Sequence, residues 1–521
     1  MKNRINDSPD KIPMFFIKKC AISLTMPLTY IFNYAMMTSS LPSIWKMSFV
    51  IPIPKKSNPS KADDFRPISL LCPVSKILEK IVFDNLLRHL ECNQILPESQ
   101  HGFRSNHSVT TQLLGVVDDI TNAIETKQIC DVIYFDFKKA FDTVPHIHLI
   151  SKLRTFGVEG PILKWLSNYL SDREFSVKVG GKFSSTKKVT SGVPQGSILG
   201  PLLFIAYISD LPTYCLINDV SIKLYADDLK AMHISSPNDK FHLPLQMFVN
   251  KLSEYANLNG LQLAPNKCLT LHIGPKNPKC HYLLENAPIR NVPENEPVRD
   301  LGIYFSKNLK WRSHIEIIVT KSRRTSYALL KSIKSNDPTF LISMFKVYVL
   351  PILEFGCPVF NPHYLKDIEQ IEKVQRDYVK LVFKRSSEYN KDKTKNPTLA
   401  ELYAKYELEL LELRRLKICL KLFHKFIHGN LPLSHNNSFQ IVESKTRGET
   451  YKIITKPTTT DVRANSYFIN TSKIYSQLPQ KIRQNSVKDF AKTIENCDLS
   501  KFIVLSNCLT KHVFHLSAPL K

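Results

Sequence analysis

Three carboxylates in this chain sit where a carboxylate is costly. Asp136 lies near the end of the apolar run Asp131-Val-Ile-Tyr-Phe-Asp-Phe137, and an ionised side chain on a buried strand needs something to neutralise it. Asp227 and Asp228 are adjacent within Ser221-Ile-Lys-Leu-Tyr-Ala-Asp-Asp-Leu-Lys-Ala231, and neighbouring like charges repel. A divalent cation would relieve both problems. Hard oxygen ligands suit Mg²⁺, which is typically held by one or two carboxylates together with substrate phosphates. Two such ions close together activate an attacking hydroxyl and stabilise the departing oxygen of an in-line displacement at phosphorus. Taken alone, an Asp-Asp pair also suits a hairpin turn.

The flanking sequence indicates how these residues are held. The run 131–137 reads as a short apolar strand, and 221–231 as a strand, a turn with Asp227 and Asp228 at its tip, and a second strand. Ser48–Pro54 is a further strand closed by prolines, followed by a basic loop, Lys55-Lys56-Ser57-Asn58-Pro59. Residues 75–90 show a helical period with Ser75 as N-cap. Residues 149–170 are helical with a break at Gly157 and Gly160, and 175–189 alternate around Gly180-Gly181 as a hairpin. Beyond residue 303 the character changes. The stretches 315–333, 340–355, 365–383 and 408–427 all have helical spacing and abundant Lys and Arg. Residues 384–397 form a charged connector, and from residue 431 the pattern weakens.

Charge follows the same division. Residues 1–300 hold 34 Lys and Arg against 27 Asp and Glu, while 301–521 hold 37 against 19, so most of the net +25 lies in the second part. A concentrated basic surplus suits a polyanion partner, although a solvated face has the same composition. A hydrophobic fraction of 43% marks a folded chain, and 521 residues are enough for several units. The eleven cysteines are dispersed, with no Cys-x-x-Cys, which argues against a zinc finger and a disulfide-stapled scaffold and fits a reducing compartment. Met-Lys-Asn-Arg followed by acidic and polar residues does not read as a signal peptide. Residues 20–45 carry no charge, but Pro27, Asn33 and Pro42 interrupt them, so a buried helix is expected there and no membrane partner.

Several motifs surround the carboxylates in a fixed order. Tyr225-Ala-Asp-Asp228 resembles the signature tetrapeptide of reverse transcriptases, and Phe135-Asp-Phe-Lys-Lys-Ala-Phe-Asp142 resembles their first catalytic motif. Ser191-Gly-Val-Pro-Gln-Gly-Ser-Ile-Leu-Gly-Pro-Leu-Leu-Phe204 lies between them, where that family has its third. Upstream, Phe65-Arg-Pro-Ile-Ser-Leu70 and Gln100-His-Gly-Phe-Arg104 resemble fingers motifs. Downstream, Gly260-Leu-Gln-Leu-Ala-Pro-Asn-Lys267 and Leu301-Gly-Ile303 resemble the last palm motifs, and Tyr348–Pro358 the thumb region. The ordered series is far more specific than any one match. It has the flavour of non-LTR retrotransposons of the jockey-like kind and covers roughly residues 8–480.

The resemblance implies an α+β right hand: an N-terminal helical lead over 1–45, fingers and an antiparallel-sheet palm over 46–305, a helical thumb over 306–430, and a C-terminal region of unknown role over 431–521. It implies RNA-directed DNA polymerase activity, with an RNA template, a DNA primer and deoxynucleoside triphosphates as partners and two Mg²⁺ ions, or Mn²⁺ in their place, as cofactors. Asp136 and Asp227 would ligate the metals, with Asp228 a weaker participant, and Lys267 would protonate pyrophosphate as general acid. Lys55 and Arg66 would grip the triphosphate, with Lys56 able to serve in place of Lys55. Phe141 would stack under the sugar and exclude a 2′ hydroxyl; a plain core aromatic is the alternative. Gln195, with Gly192 and Gly196, would approach the nucleotide and template closely. Arg104 and the thumb residues Lys321, Arg323 and Arg324 would contact nucleic acid, with Lys331 and Lys334 on the same stretch.

No acidic and histidine set of a nicking endonuclease is recognisable upstream, nor any RNase H or protease region. A polymerase-plus-thumb product of a shortened element, or a gene model that begins in mid-frame, is expected, within an intracellular ribonucleoprotein of the nucleus or cytoplasm. A non-catalytic nucleic-acid-binding relic of the same fold is the rival reading, and a group II intron maturase a more distant one.

Overall fold

In the computed structural model of the chain, residues 8–237, 243–390, 392, 396–429, 431, 438–443 and 451–505 are described. Residues 1–7 of the expected lead, 391 and 393–395 of the connector, and 506–521 of the C-terminal region lie outside them. A five-stranded sheet organises the first part. Its strand order is Arg290–Asn291, Leu269–Ile273, Ile129–Phe135, Asp228–Ser235, Val220–Tyr225, antiparallel except at the short outer strand. Side chains alternate across a strand, and the two faces feed different cores. Ile133, Phe135, Leu229 and Ala231 join a cluster with the helices Pro73–Cys92, His146–Thr155, Gly160–Leu170, Leu199–Tyr207 and Leu243–Leu258. Cys130, Val132, Met232, Leu271 and Ile273 face the other way, onto the helix Val109–Glu125 and the second part of the chain. That helix starts at Ser108, whose hydroxyl accepts from Thr111 N in a capping box.

A second sheet lies beside this palm. Met47–Pro54 pairs antiparallel with Phe65–Leu70 and parallel with Glu174–Val179, and the expected hairpin around Gly180-Gly181 is present. Two local expectations are corrected. The helix expected over 75–90 spans Pro73–Cys92 and is capped at Cys72, not Ser75. Pro73 takes the first helical position, where the missing N–H costs nothing. Ser75 is buried inside the first turn, its hydroxyl 3.4 Å from Glu79 Oε1. The uncharged segment 20–45 contains the helix Ala21–Met37, but this is not buried. Only Phe32 and Ala35 are enclosed, while Ile22, Met26 and Tyr30 are at least three-quarters or nearly so exposed (93%, 78% and 74%). It rests by one side on the helix Gly160–Leu170, too small a neighbour to cover it. No described helix is long and apolar enough to cross a membrane.

The second part is helical, as its spacing predicts, with Arg312–Ser332, Leu365–Arg385 and Leu411–Ile427 as its long members. The single stretch expected over 340–355 divides into Pro338–Tyr348 and Leu350–Glu354, because Pro351 cannot continue the ladder. Among the described residues past 431, where the pattern is weak, stand the antiparallel strand pair Phe439–Glu443 with Tyr451–Thr455 and several short helices. These segments share one core with the basic helices and with the palm helix Val109–Glu125. Arg463, fully buried, makes the join. Its Nη1 donates to Asp118 Oδ1 (2.7 Å) and Thr121 Oγ1 (2.7 Å), and Nη2 to Ser438 Oγ (3.0 Å). Glu125 accepts from Thr460 N at 2.9 Å on the same helix.

Removing one partner of a buried pair strands the other charge, at a cost of about 3–5 kcal/mol. Arg463→Met is therefore expected to lower the melting temperature markedly. Hydrogen exchange should show the helix Val109–Glu125 and the C-terminal helices losing protection together; unchanged melting would disprove the join.

Candidate active site

The sheet register places the acidic residues side by side. Phe135 pairs with Leu229, so Asp136 and Asp228 are the next residues out on neighbouring strands, roughly 5 Å apart in backbone spacing. Tyr225 pairs with Asp228, leaving Ala226 and Asp227 as a two-residue turn with Ala226 at φ 55°. The three carboxylates feel one another. Burial, and then Asp136, push the Asp227 carboxyl above its usual range. Asp228 is raised to about 6 by burial, then Asp227 and Asp300, with Asp136 adding and Lys230 opposing.

A clamp holds that turn against the repulsion. Gln100 Oε1 accepts from Ala226 N (2.9 Å) and Gly102 N (2.8 Å), His101 N donates to Leu224 O (2.9 Å), and Leu224 N donates to Ser99 O (2.9 Å). A Cβ on Gly102 would lie 2.5 Å from Ala226 N, so only glycine fits there. The Gln100–Arg104 motif thus grips the carboxylate hairpin. Arg104 is spent inside it: Nη1 donates to Pro97 O (2.8 Å), and Nε lies 3.5 Å from Glu91. This arrangement supports a loop-fixing role for Arg104 over the expected nucleic-acid contact.

Cations converge from separate elements. Ala264 N donates to Asp136 O (2.8 Å), Lys138 N to Gln262 O (2.7 Å), and Phe137 bridges Leu263. This short extension of the sheet brings Lys267 Nζ to Asp136 Oδ2 at 2.7 Å. Arg66, exposed on the strand opposite Ile53, acts with Lys267 to favour the ionised form of Asp227. Arg66, Asp136, Asp228, Lys230, Lys267 and Lys321 line one cleft of about 820 Å³. Arg323 and Arg324 are exposed on the same helix as Lys321. Lys55 Nζ bonds only to Asp63 O (2.9 Å) and influences Asp142, whereas Lys56 is paired with Asp64 (2.9 Å). Lys55 is the freer of the two.

The loop 191–196 lies against the segment after Asp136. Val193 N donates to Phe141 O (2.7 Å) and Ser69 N to Gln195 O (2.7 Å). Gln195 Nε2 donates to Asp142 Oδ1 at 2.8 Å. Gly196 is exposed at φ 110°, and a Cβ there would meet Ser69 O at 2.6 Å. Phe141 is half-buried, one ring face stacked on Phe204 at 4.4 Å between centroids. Its placement combines the two readings, with one face packed and part of the ring open.

Gln100, Asp142, Lys230 and Asp300 were not singled out from sequence. A lysine inside the apolar run Leu229–Met232 is a signal that could have found Lys230. Among the described residues, no three His, Cys, Asp or Glu side chains form a metal cage by themselves. Mg²⁺ takes one or two carboxylates and completes its shell with water and phosphate oxygens. The hard, all-carboxylate donors Asp136, Asp227 and Asp228, crowded by like charge, fit such an ion.

Residues 53–305 match the family model described as "Reverse transcriptase (RNA-dependent DNA polymerase)". The chain is 29% identical over 365 residues to the probable RNA-directed DNA polymerase from transposon X-element of Drosophila melanogaster, covering 68% of this chain and 39% of that protein. It is 29% identical over 344 residues to the RNA-directed DNA polymerase from mobile element jockey of the same fly, covering 64% and 37%. The chain thus spans less than half the length of these curated relatives. A solved telomerase from Candida albicans aligns over 76% of this chain and 66% of that one, at 14% identity and a TM-score of 0.36.

His101 gives the clamp a pH signature. Burial, then nearby cations led by His107, push its imidazole down to about 3. The unfolded chain therefore binds the proton more readily, and stability is present above the unfolded value near 6.5 and lost as pH falls toward 3. At pH 5 the loss is about 2 kcal/mol from this group. His101→Asn, which keeps an amide near Thr111 Oγ1, is expected to flatten the fall in melting temperature between pH 7 and 5. An unchanged slope would refute this.

Proposed function

We propose, on the premise that residues 53–305 form a reverse transcriptase domain, that this chain is an RNA-directed DNA polymerase. It extends a DNA primer by deoxynucleotides copied from RNA, as part of retrotransposition. The observation that carries the reading is the convergence of Asp136, Asp228, Lys267 and Arg66 at one cleft, with Asp227 in the adjoining turn and within the field of Asp136, Arg66 and Lys267. Asp136 and Asp227 would hold two Mg²⁺ ions, or Mn²⁺, with Asp228 assisting. When bound, the ions would lower the pKa of the primer 3′ hydroxyl and neutralise charge on the leaving group.

The chain's own residues do the rest. Arg66 binds the triphosphate bidentately and Lys55 as a point charge, which draws the nucleotide to the carboxylates. The primer 3′ hydroxyl gives its proton to solvent water as its oxygen forms the new bond to the α-phosphorus, the bond from that phosphorus to the bridging oxygen breaks, and pyrophosphate leaves. Lys267 hands the leaving group a proton. Phe141, anchored by Phe204, presents its open part to the sugar and excludes a 2′ hydroxyl. Gln195, fixed by Asp142, supports the base pair being formed while Gly196 keeps the backbone out of its way. Lys321, Arg323 and Arg324 track the phosphates of the template–primer duplex, in keeping with the basic second part of the chain.

Two measurements test this. With an RNA template and annealed primer, wild type is expected to extend, and Asp227→Ala to lose at least ~10³-fold in rate while still shifting the duplex on a gel. Extension that survives the substitution refutes the assigned site, and wild-type binding with no synthesis supports the relic reading. Phe141→Val is expected to raise ribonucleotide incorporation by about 100-fold relative to deoxynucleotide; unchanged sugar selection would return Phe141 to the core.

A further inference from the structure

Lys230 is an ammonium in an apolar strand. It follows Asp228 by two positions, so both project to the same side of the sheet, and its cross-strand partner is Tyr134. It is 1% exposed, and its Nζ is held by three groups: the carboxylate of Asp300, Gln112 Oε1 at 3.1 Å, and the ring face of Tyr134 at 5.7 Å. Asp300, also buried, ends the strand Val298–Asp300 just before Leu301-Gly302-Ile303. Both residues line the same cleft as Asp136 and Asp228. Apolar residues of the same shape in place of such a pair are commonly as stable or more so. Stability alone therefore does not account for a charged pair here.

The location does. Asp228 feels both members, in opposite senses. A lysine side chain is long enough to span two positions along a strand, so the Lys230 ammonium has a competing carboxylate beside it. Were it to pair with Asp228, it would occupy the position a divalent cation needs. We propose that Asp300 is a positioning residue that holds the Lys230 ammonium away from Asp228, keeping the carboxylate cluster free to take up its cation. Gln112 and the Tyr134 ring fix the ammonium from the other sides, and the pair is net neutral, so it leaves the charge of the cluster unchanged. This rests on the reading of Asp136, Asp227 and Asp228 as cation ligands.

The test is Mn²⁺ binding to the full chain without nucleotide, followed by electron paramagnetic resonance. Wild type is expected to bind, and Asp227→Ala to abolish binding; absence of a wild-type site sensitive to Asp227 would defeat the parent reading, not this one. Given that site, Asp300→Asn releases the ammonium onto Asp228 and is expected to weaken Mn²⁺ by about tenfold. Adding Lys230→Met to Asp300→Asn removes the competitor and is expected to bring affinity back to within about twofold of wild type. An unaffected Asp300→Asn protein, or a double variant no better than the single, overturns the proposal. Should the single variant fail to fold, the double variant, which strands no charge, still decides: lost Mn²⁺ binding in it means the pair has another role. In extension assays the Asp300→Asn defect should appear as a raised Mg²⁺ requirement, with the nucleotide KM at saturating Mg²⁺ unchanged.

Discussion

Like charges gathered at one edge of a sheet are the constraint on which the rest of this structure depends. Burial and the Asp136 charge raise the Asp227 carboxyl, and burial and the Asp227 charge raise that of Asp228, so the fold must hold these groups together against Coulombic repulsion. Backbone geometry does so, because ladder hydrogen bonds are short-ranged and many. The register from Ile129–Ser235 to Phe135–Leu229 fixes two strands, and the clamp of Ser99, Gln100, His101 and Gly102 fixes the turn from outside. Neither depends on the carboxylates themselves.

The surrounding cations are arranged by strength of tether. Lys230 is immobilised by Asp300 and Gln112 in the interior. Lys267 touches Asp136 from a largely exposed position, and Arg66 projects, exposed, from the strand Phe65–Leu70. Surface pairs contribute little stability and exchange partners easily. Exposed cations can thus change partners, while the buried one cannot. The same strand that delivers Asp136 also carries Asp131, and the contrast is informative. Asp131 is enclosed by Tyr282 Oη (2.6 Å), Asn277 Nδ2 (2.7 Å) and His272 Nδ1 (2.7 Å) and is held below its usual range. Its lone pairs are occupied, so it serves the fold.

The second part of the chain braces this arrangement. Its helices share a core with the helix Val109–Glu125, which in turn carries Gln112 beneath Lys230. The buried Arg463–Asp118 pair is thus on the same helix, less than two turns from the residue that supports the carboxylate hairpin. Gly302 and Phe355 both line the cleft, and a Cβ on Gly302 would lie only 3.1 Å from the Phe355 ring, so the hairpin Val298–Phe305 packs closely on the residue that follows the short helix Leu350–Glu354.

Much of the site was legible in the residues themselves. Charged residues in apolar strands stand out because their burial is costly, and an ordered series of short motifs fixes which carboxylates matter; strands, hairpins and long basic helices followed from period alone. What the sequence could not give was partnership. Arg104 reads as a free cation, but three carbonyl and carboxylate partners from one loop and one helix claim it. Ser75 reads as a cap until Pro73 takes the first helical position. The uncharged segment 20–45 reads as buried, but burial depends on what lies opposite, and the described neighbours of the helix Ala21–Met37 cover one side of it. The four-residue helices Asp461–Ala464 and Gln480–Arg483 hold too few turns to show a period. Lys230 and Asp300, 70 positions apart, became a pair only when the sheet and the hairpin closed on each other. Residue type and local spacing decide which groups want neutralising, whereas long-range packing decides which group does it.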